Sequence, residues 1–265
     1  MDLGLRGRVA LITGGSKGIG HAVAIGLAGE GASVAICARR QELLDRAARE
    51  IAEATRAEVL PISGDMSKPG DADRVVDAVV TRFGRIDILV NNAGAAPGGL
   101  LLNLTEEDWA LALQLKFLGY IRCCRAAIPH MLTQGGGRIV NIVGNDGVKP
   151  AYWELTASAA NAADLAAIQA LAEQYGRHNI RINAINPGPV STERWDGLVR
   201  AYARDKNLTL DEASRRGIAS IPLGRLCTPE EVADVAVFVA SDRASFMNGA
   251  SITLDGGQRK AVMDL

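Results

Sequence analysis

The sequence predicts a single-domain α/β fold with a doubly wound parallel sheet, and three observations carry that expectation. Short, almost wholly apolar runs recur along the chain, longer stretches rich in Ala and Leu separate them, and a glycine-rich turn follows the first run. Strand-helix alternation joins parallel strands through right-handed crossovers. Runs without a polar face belong to strands buried on both sides.

The first strand is expected at 9–13, and the turn after it opens a helix. Further strands are expected at 33–37, 58–62, 86–90, 138–143 and 180–185, with helices between them, two of which span about 105–133 and 155–177. The stretch from Pro187 to about Ser220 breaks this rhythm. It reads as polar and irregular, with 190–220 folding over the carboxyl edge of the sheet as a substrate lid, where ligands bind in such folds. A further helix opens at Thr228-Pro229-Glu230-Glu231, with Thr228 as N-cap and Pro229 in the first turn, and a last strand covers 251–254. No compositional break divides the 265 residues, so one domain over 1–265 is expected.

Hydrophobic residues make up 48% of the chain and charged ones 22%, enough apolar material for a large two-sided core. The formal net charge of -1, with interleaved signs, argues against nucleic acid or an anionic membrane as partner and for small molecules. There is no leader pattern and no apolar run of membrane-spanning length, so a cytoplasmic location is expected. Cys37, Cys123, Cys124 and Cys227 lack metal-ligand spacing, and His21, His130 and His178 are scattered, so no metal site is expected.

The turn reads Thr13-Gly14-Gly15-Ser16-Lys17-Gly18-Ile19-Gly20. Gly14, Gly18 and Gly20 permit a tight turn, a close approach to a pyrophosphate and close packing of helix on strand, with the phosphates at the positive helix N-terminus. Asn91-Asn92-Ala93-Gly94 follows the fourth strand, Asn186-Pro187-Gly188 the sixth, and Leu254-Asp255-Gly256-Gly257 comes near the end. With these four ordered motifs, nearly the whole chain resembles the short-chain dehydrogenase/reductase family, which implies a Rossmann-type dinucleotide-binding fold. By that resemblance the cofactor would be held by Gly14, Ser16, Lys17, Gly18, Ile19 and Gly20, by Asp65 and Met66 near the adenine, by Asn91, Ala93 and Gly94 along the cleft, and by Pro187, Gly188, Val190 and Thr192 on the nicotinamide side. A sheet-bracing amide is the other reading of Asn91. Similarity to the family also implies a homo-oligomer, a tetramer, paired through the helices at about 105–133 and 155–177 and the C-terminal strand.

After the second strand the chain reads Cys37-Ala38-Arg39-Arg40, with no carboxylate to hold the ribose hydroxyls of NAD. Arg39 and Lys17 are two cations suited to a 2′-phosphate, so NADP(H) is the expected cofactor.

The resemblance fails at the family's catalytic set of Asn, Ser, Tyr and Lys. In register, these positions hold Lys116, Gly144, Ala157 and Asn161. Lys and Asn have exchanged places, and both would face the cleft, so Lys116 is expected to be the electrostatic or proton-donating centre and Asn161 to hold the ribose or a water. A Lys116 that reaches solvent from an amphipathic helix is the plainer alternative. Tyr152 is a candidate for the missing phenol, with Tyr120, Asp146 and Glu154 as further options. An oxidoreductase acting on a carbonyl or alcohol is the leading expectation. The others are a catalytically silent NADP(H)-binding protein and a lyase or isomerase on the same fold.

Overall fold

The computed structural model describes residues 1–258, so residues 259–265 of the expected domain lie outside the described residues. Seven strands form one parallel sheet in the order β3-β2-β1-β4-β5-β6-β7. They are β1 (Val9–Thr13), β2 (Ser33–Ala38), β3 (Val59–Ser63), β4 (Ile88–Asn91), β5 (Gly137–Ile142), β6 (Ile180–Pro187) and β7 (Ser251–Leu254). All seven expected strands are present, the fourth starting two residues later than its apolar run. β3 takes an edge of the sheet, which is where a strand can carry Pro61 without losing an interior ladder bond.

The helices divide between the faces. α1 (Gly18–Gly29), α2 (Gln41–Thr55) and α9 (Pro229–Ala240) cover one face, and α3 (Asp71–Phe83), α5 (Leu118–Thr133) and α6 (Leu155–Gly176) cover the other. Ala10 and Ile12 of β1 point into the first core while Val9 and Leu11 point into the second. Successive side chains serve opposite faces, which is why the strand sequences carry no polar alternation.

Two segments depart from expectation. The stretch taken as irregular between 187 and 220 contains α7 (Glu193–Lys206) and α8 (Leu210–Ala219). The start of α8 is set by a reciprocal capping box: Thr209 accepts from the Glu212 amide while the Glu212 carboxylate accepts from the Thr209 amide. The two helices pack on Trp153, which is fully buried, meets Tyr202 edge to face at 5.8 Å and packs with Trp195, Val199, Ala203 and Ala213. The polar surface of the two helices hid this apolar stripe in the sequence.

The helix expected over 105–133 is interrupted. α4 (Glu106–Ala112), capped by Thr105 and Asp108, runs into a π-helical segment, Leu113–Phe117, before α5 begins. π-helical bulges often accompany functional sites. Lys116 is the buried residue of this one.

Candidate active site

The strand order reverses between β1 and β4, and a cleft opens there at the carboxyl ends of β1, β4, β5 and β6. Its volume is about 970 Å³ when counted to the open mouth. Ile19, Asn92, Gly94, Pro187, Gly188, Val190 and Thr192 form one side, Lys116, Tyr120 and 142–146 the floor, and Arg194, Trp195 and Leu198 of α7 the opposite wall.

The glycine turn is built for close approach. Gly14 and Gly18 have φ of +68° and +57°. A Cβ on Gly14 would lie 2.7 Å from Asn92 Nδ2, and one on Gly20 would lie 2.4 Å from the Gly14 carbonyl oxygen. No side chain caps the first turn of α1, which leaves its amide donors directed at the cleft as an anion site. The Thr13 hydroxyl accepts from the Asn92 and Ala93 amides at 2.9 and 3.1 Å, locking the turn to the loop after β4. These residues fit a dinucleotide pyrophosphate. Ser16 lies partly exposed on the turn, and Arg39 and Asp65 follow the ends of β2 and β3, side by side beyond it. The guanidinium of Arg39 makes no ion pair among the described residues, whereas the Lys17 ammonium meets the Glu193 carboxylate at the start of α7.

Two expected cofactor residues point elsewhere. The Asn91 amide is fully buried and donates to Asn141 Oδ1 at 2.9 Å, bracing β4 on β5, and its neighbour Asn92 lines the cleft instead. Met66 is 3% exposed and packs on Cys123 in the core. A strand exposes alternate residues to opposite faces, so the doubled Asn allowed either assignment.

At the floor, Lys116 is 7% exposed and its Nζ donates to the Val143 carbonyl at 2.9 Å. Its stem packs on Gly94, where a Cβ would come within 3.1 Å of Lys116 Cγ. Burial lowers its pKa below the usual lysine value. The carboxylate of Asp146 opposes that shift most, the guanidinium of Arg194 adds to it, and Asp164 and Glu154 oppose it further. One turn on, the Tyr120 hydroxyl donates to the Ile142 carbonyl at 2.7 Å, and burial drives its pKa well above the usual phenol value.

The exchange of Lys and Asn has a different geometry from the one expected. Asn161 is fully buried and does not line the cleft; its Nδ2 donates to Asp146 Oδ1 at 2.6 Å, and Asp146 does line it. Asn161 therefore orients a carboxylate and is separated from the cleft by it. Gly144 has no room for a side chain. Its φ is +137°, and a Cβ there would lie 2.7 Å from both Asp146 Oδ1 and Asn161 Nδ2, so the hydrogen bond occupies the space a serine would need. Ala157 is buried against Ala96 and Ala112. Tyr152 lies outside the cleft, 46% exposed, with the Lys206 ammonium 5.1 Å from its ring centre. Its five-residue separation from Ala157 crosses the turn before α6, so the two share no helix face.

Asp164 carries a carboxylate 1% exposed on α6, which the motifs of the sequence do not mark. Burial raises its pKa, against the pull of Lys116, to about 7. Its signal was present: positions 157, 161, 164 and 168 share a helical face, and an acid on that face among alanines cannot reach solvent. Asn145 and Gln258, bonded at 3.2 Å, close the cleft beside the Gly188 turn.

A family model described as Enoyl-(Acyl carrier protein) reductase matches residues 14–259. The chain is 34% identical over 253 residues to the 3-oxoacyl-[acyl-carrier-protein] reductase FabG of Thermotoga maritima, covering 96% of this chain and 98% of that protein. It is 32% identical over 256 residues to the NADPH-dependent reductase BacG of Bacillus subtilis, covering 96% and 99%. The crystal structure of L-sorbose reductase from Gluconobacter frateurii, complexed with NADPH and L-sorbose, superposes with a TM-score of 0.91 at 33% identity and covers the whole of both chains.

Proposed function

This chain belongs to the short-chain dehydrogenase/reductase family, and from that premise we propose that it is an NADPH-dependent reductase of a carbonyl group in a small-molecule substrate, with Lys116 in place of the family's tyrosine. The observation that carries the reading is the position of Lys116: among the described residues it brings the one ammonium to the cleft wall, at the floor beside the end of β5. Bound NADPH supplies hydride. The glycine turn and the first turn of α1 hold the pyrophosphate, and Pro187 to Thr192 flank the nicotinamide side. Lys116, desolvated and anchored by Val143, polarises the substrate oxygen and gives it a proton. Asp146, held by Asn161, sustains the charge on that ammonium. The segment 190–220, with Trp195 and Leu198 over the cleft, excludes water as a lid. NADPH oxidation followed against a panel of ketones and aldehydes tests the proposal. Tight NADPH binding without oxidation of any of them would favour the silent binder, a reading supported by the closed positions of Gly144 and Ala157.

Selectivity for NADPH over NADH is expected to be at least about tenfold, which asks only about 1.4 kcal/mol, within reach of one charge-assisted contact at Arg39. Fluorescence titration measures it. Arg39→Asp should reverse the order, and equal affinities in the unaltered protein would reject the assignment.

A homotetramer belongs to the same proposal. It is supported by exposed Leu111 and Leu113 along α4 and its extension and by exposed Phe238 and Phe246. Light scattering should return four times the monomer mass at micromolar concentration, and a monomer would overturn it. The four thiols, unpaired in the structure and three of them buried, suit a reducing compartment such as the cytoplasm. No helix among the described residues is long and apolar enough to cross a membrane, and none of their His, Cys, Asp and Glu side chains cluster as a metal site.

A further inference from the structure

A helix that passes from α to π takes one more residue into its hydrogen-bonded step, and such a step persists only where the surroundings hold it. In the segment Leu113–Phe117 the Leu118 amide donates to the Leu113 carbonyl, five residues back. The next carbonyl, that of Gln114, is met by a side chain. Arg122 Nη1 donates to it at 2.9 Å, and Arg122 Nη2 donates to Gln114 Oε1 at 2.6 Å. The same Nη1 lies 3.2 Å from the carbonyl oxygens of Met66 and Ser67, in the turn after β3. Arg122 makes no ion pair among the described residues; its planar fork joins the backbones of two segments.

The segments also touch closely around this fork. A Cβ on Gly119 would come within 3.2 Å of the Met66 carbonyl oxygen, and Cys123 Sγ lies 3.2 Å from Met66 Sδ. Positions 119, 122 and 123 share one face of α5, which rests on the turn after β3. Lys116 and Tyr120, one turn apart, reach the Val143 and Ile142 carbonyls at the end of β5. The π-turn is therefore held from two sides.

We propose that Arg122 is a positioning residue: it fixes the π-turn on the turn after β3 and thereby sets the Lys116 ammonium on the Val143 carbonyl. It rests on the reading of Lys116 as the proton donor and adds the residue that places it. An α-helical turn takes about 3.6 residues, so closing the segment to regular α-helix would rotate Lys116 about the axis relative to α5. Its Nζ would leave Val143 and its stem would leave Gly94. The charge-assisted hydrogen bonds of Arg122 oppose that closure.

The test reads the Lys116 amine by carbamylation with cyanate over a series of pH values and peptide mass spectrometry of the full chain, with circular dichroism as the check on folding. Only the neutral amine reacts, so the midpoint of labelling against pH reports the surroundings of Lys116. Burial holds that midpoint below 10.5 in the unaltered protein. Arg122→Met should move it up toward 10.5, because an ammonium released from the floor regains its hydration. Asp146, Arg194, Asp164 and Glu154, the charges that act on Lys116, are all retained in that variant. The shift should persist in about 1 M salt, which screens the loss of the guanidinium charge itself. Arg122→Lys, which keeps a charged donor for the same carbonyls, should hold the midpoint nearer to that of the unaltered protein. Arg122→Gln repeats the measurement if Arg122→Met does not fold. An unmoved midpoint in a folded variant, even a destabilised one, or a shift that vanishes in salt, overturns the proposal. Labelling needs no turnover, so a missing reductase activity would reject the functional reading and leave the placing of Lys116 by Arg122 to be decided by its own result.

Discussion

Lys116→Met is expected to lower NADPH-dependent turnover by about 10²–10⁴-fold, the usual cost of removing a positioned proton donor, while NADPH affinity stays within a few-fold. Methionine keeps the stem that fills the space above Gly94, so the loss would report chemistry and not a cavity. The same variant should be more stable than the parent at neutral pH. Burial lowers the folded-state pKa of Lys116 below its unfolded value of 10.5, so folding works against the charged form. The penalty is full below the folded pKa, declines as pH rises from there toward 10.5, and is absent above it. The stability gain of Lys116→Met, followed by thermal unfolding, should shrink over that window. Activity lost together with stability gained marks a residue kept for its chemistry. Unchanged turnover would move the chemistry to another group.

Trp153→Ala is expected to cost about 3–5 kcal/mol by denaturant unfolding. The indole is fully buried, its Nε1 donates to Asp205 at 3.0 Å, and its six-membered ring occupies the space beside Gly98, where a Cβ would come within 2.2 Å of it. Truncation would leave a void under α7 and take from Asp205 Oδ2 its indole donor, and domains of this kind hold only about 5–15 kcal/mol in total. Because this cluster seats the cleft wall formed by Trp195, the substrate KM should rise while the glycine turn still binds NADPH. Trp153→Phe retains most of the packing and should cost less. A loss below about 1 kcal/mol for Trp153→Ala would show that α7 and α8 are not anchored here.

The strands were legible because the continuous apolar runs of strands buried on both faces, and the alternation of β1 to β7 with helices, are properties of neighbours in the chain. The glycine turn was legible for the same reason: positive φ and close approach at Gly14, Gly18 and Gly20 are local demands. The helices α7 and α8 were not, since their polar surfaces masked a stripe whose partner, Trp153, lies far away in sequence.

By itself the sequence determined the doubly wound fold, the glycine-rich turn after β1 and the absence of an acid directly after β2, and the family resemblance implied that Ala157, Asn161, Gly144 and Lys116 stand where a tyrosine, a lysine, a serine and an asparagine are usual. Only the tertiary structure decided what those residues touch. It turned Asn161 onto Asp146, filled the space beside Gly144 with that hydrogen bond, left Tyr152 outside the cleft, and buried Asp164 on α6. The physical reason is that helical and strand periods specify which face a residue takes. Desolvation and hydrogen bonding arise between residues such as Lys116 and Val143, 27 positions apart, that meet only when their elements pack.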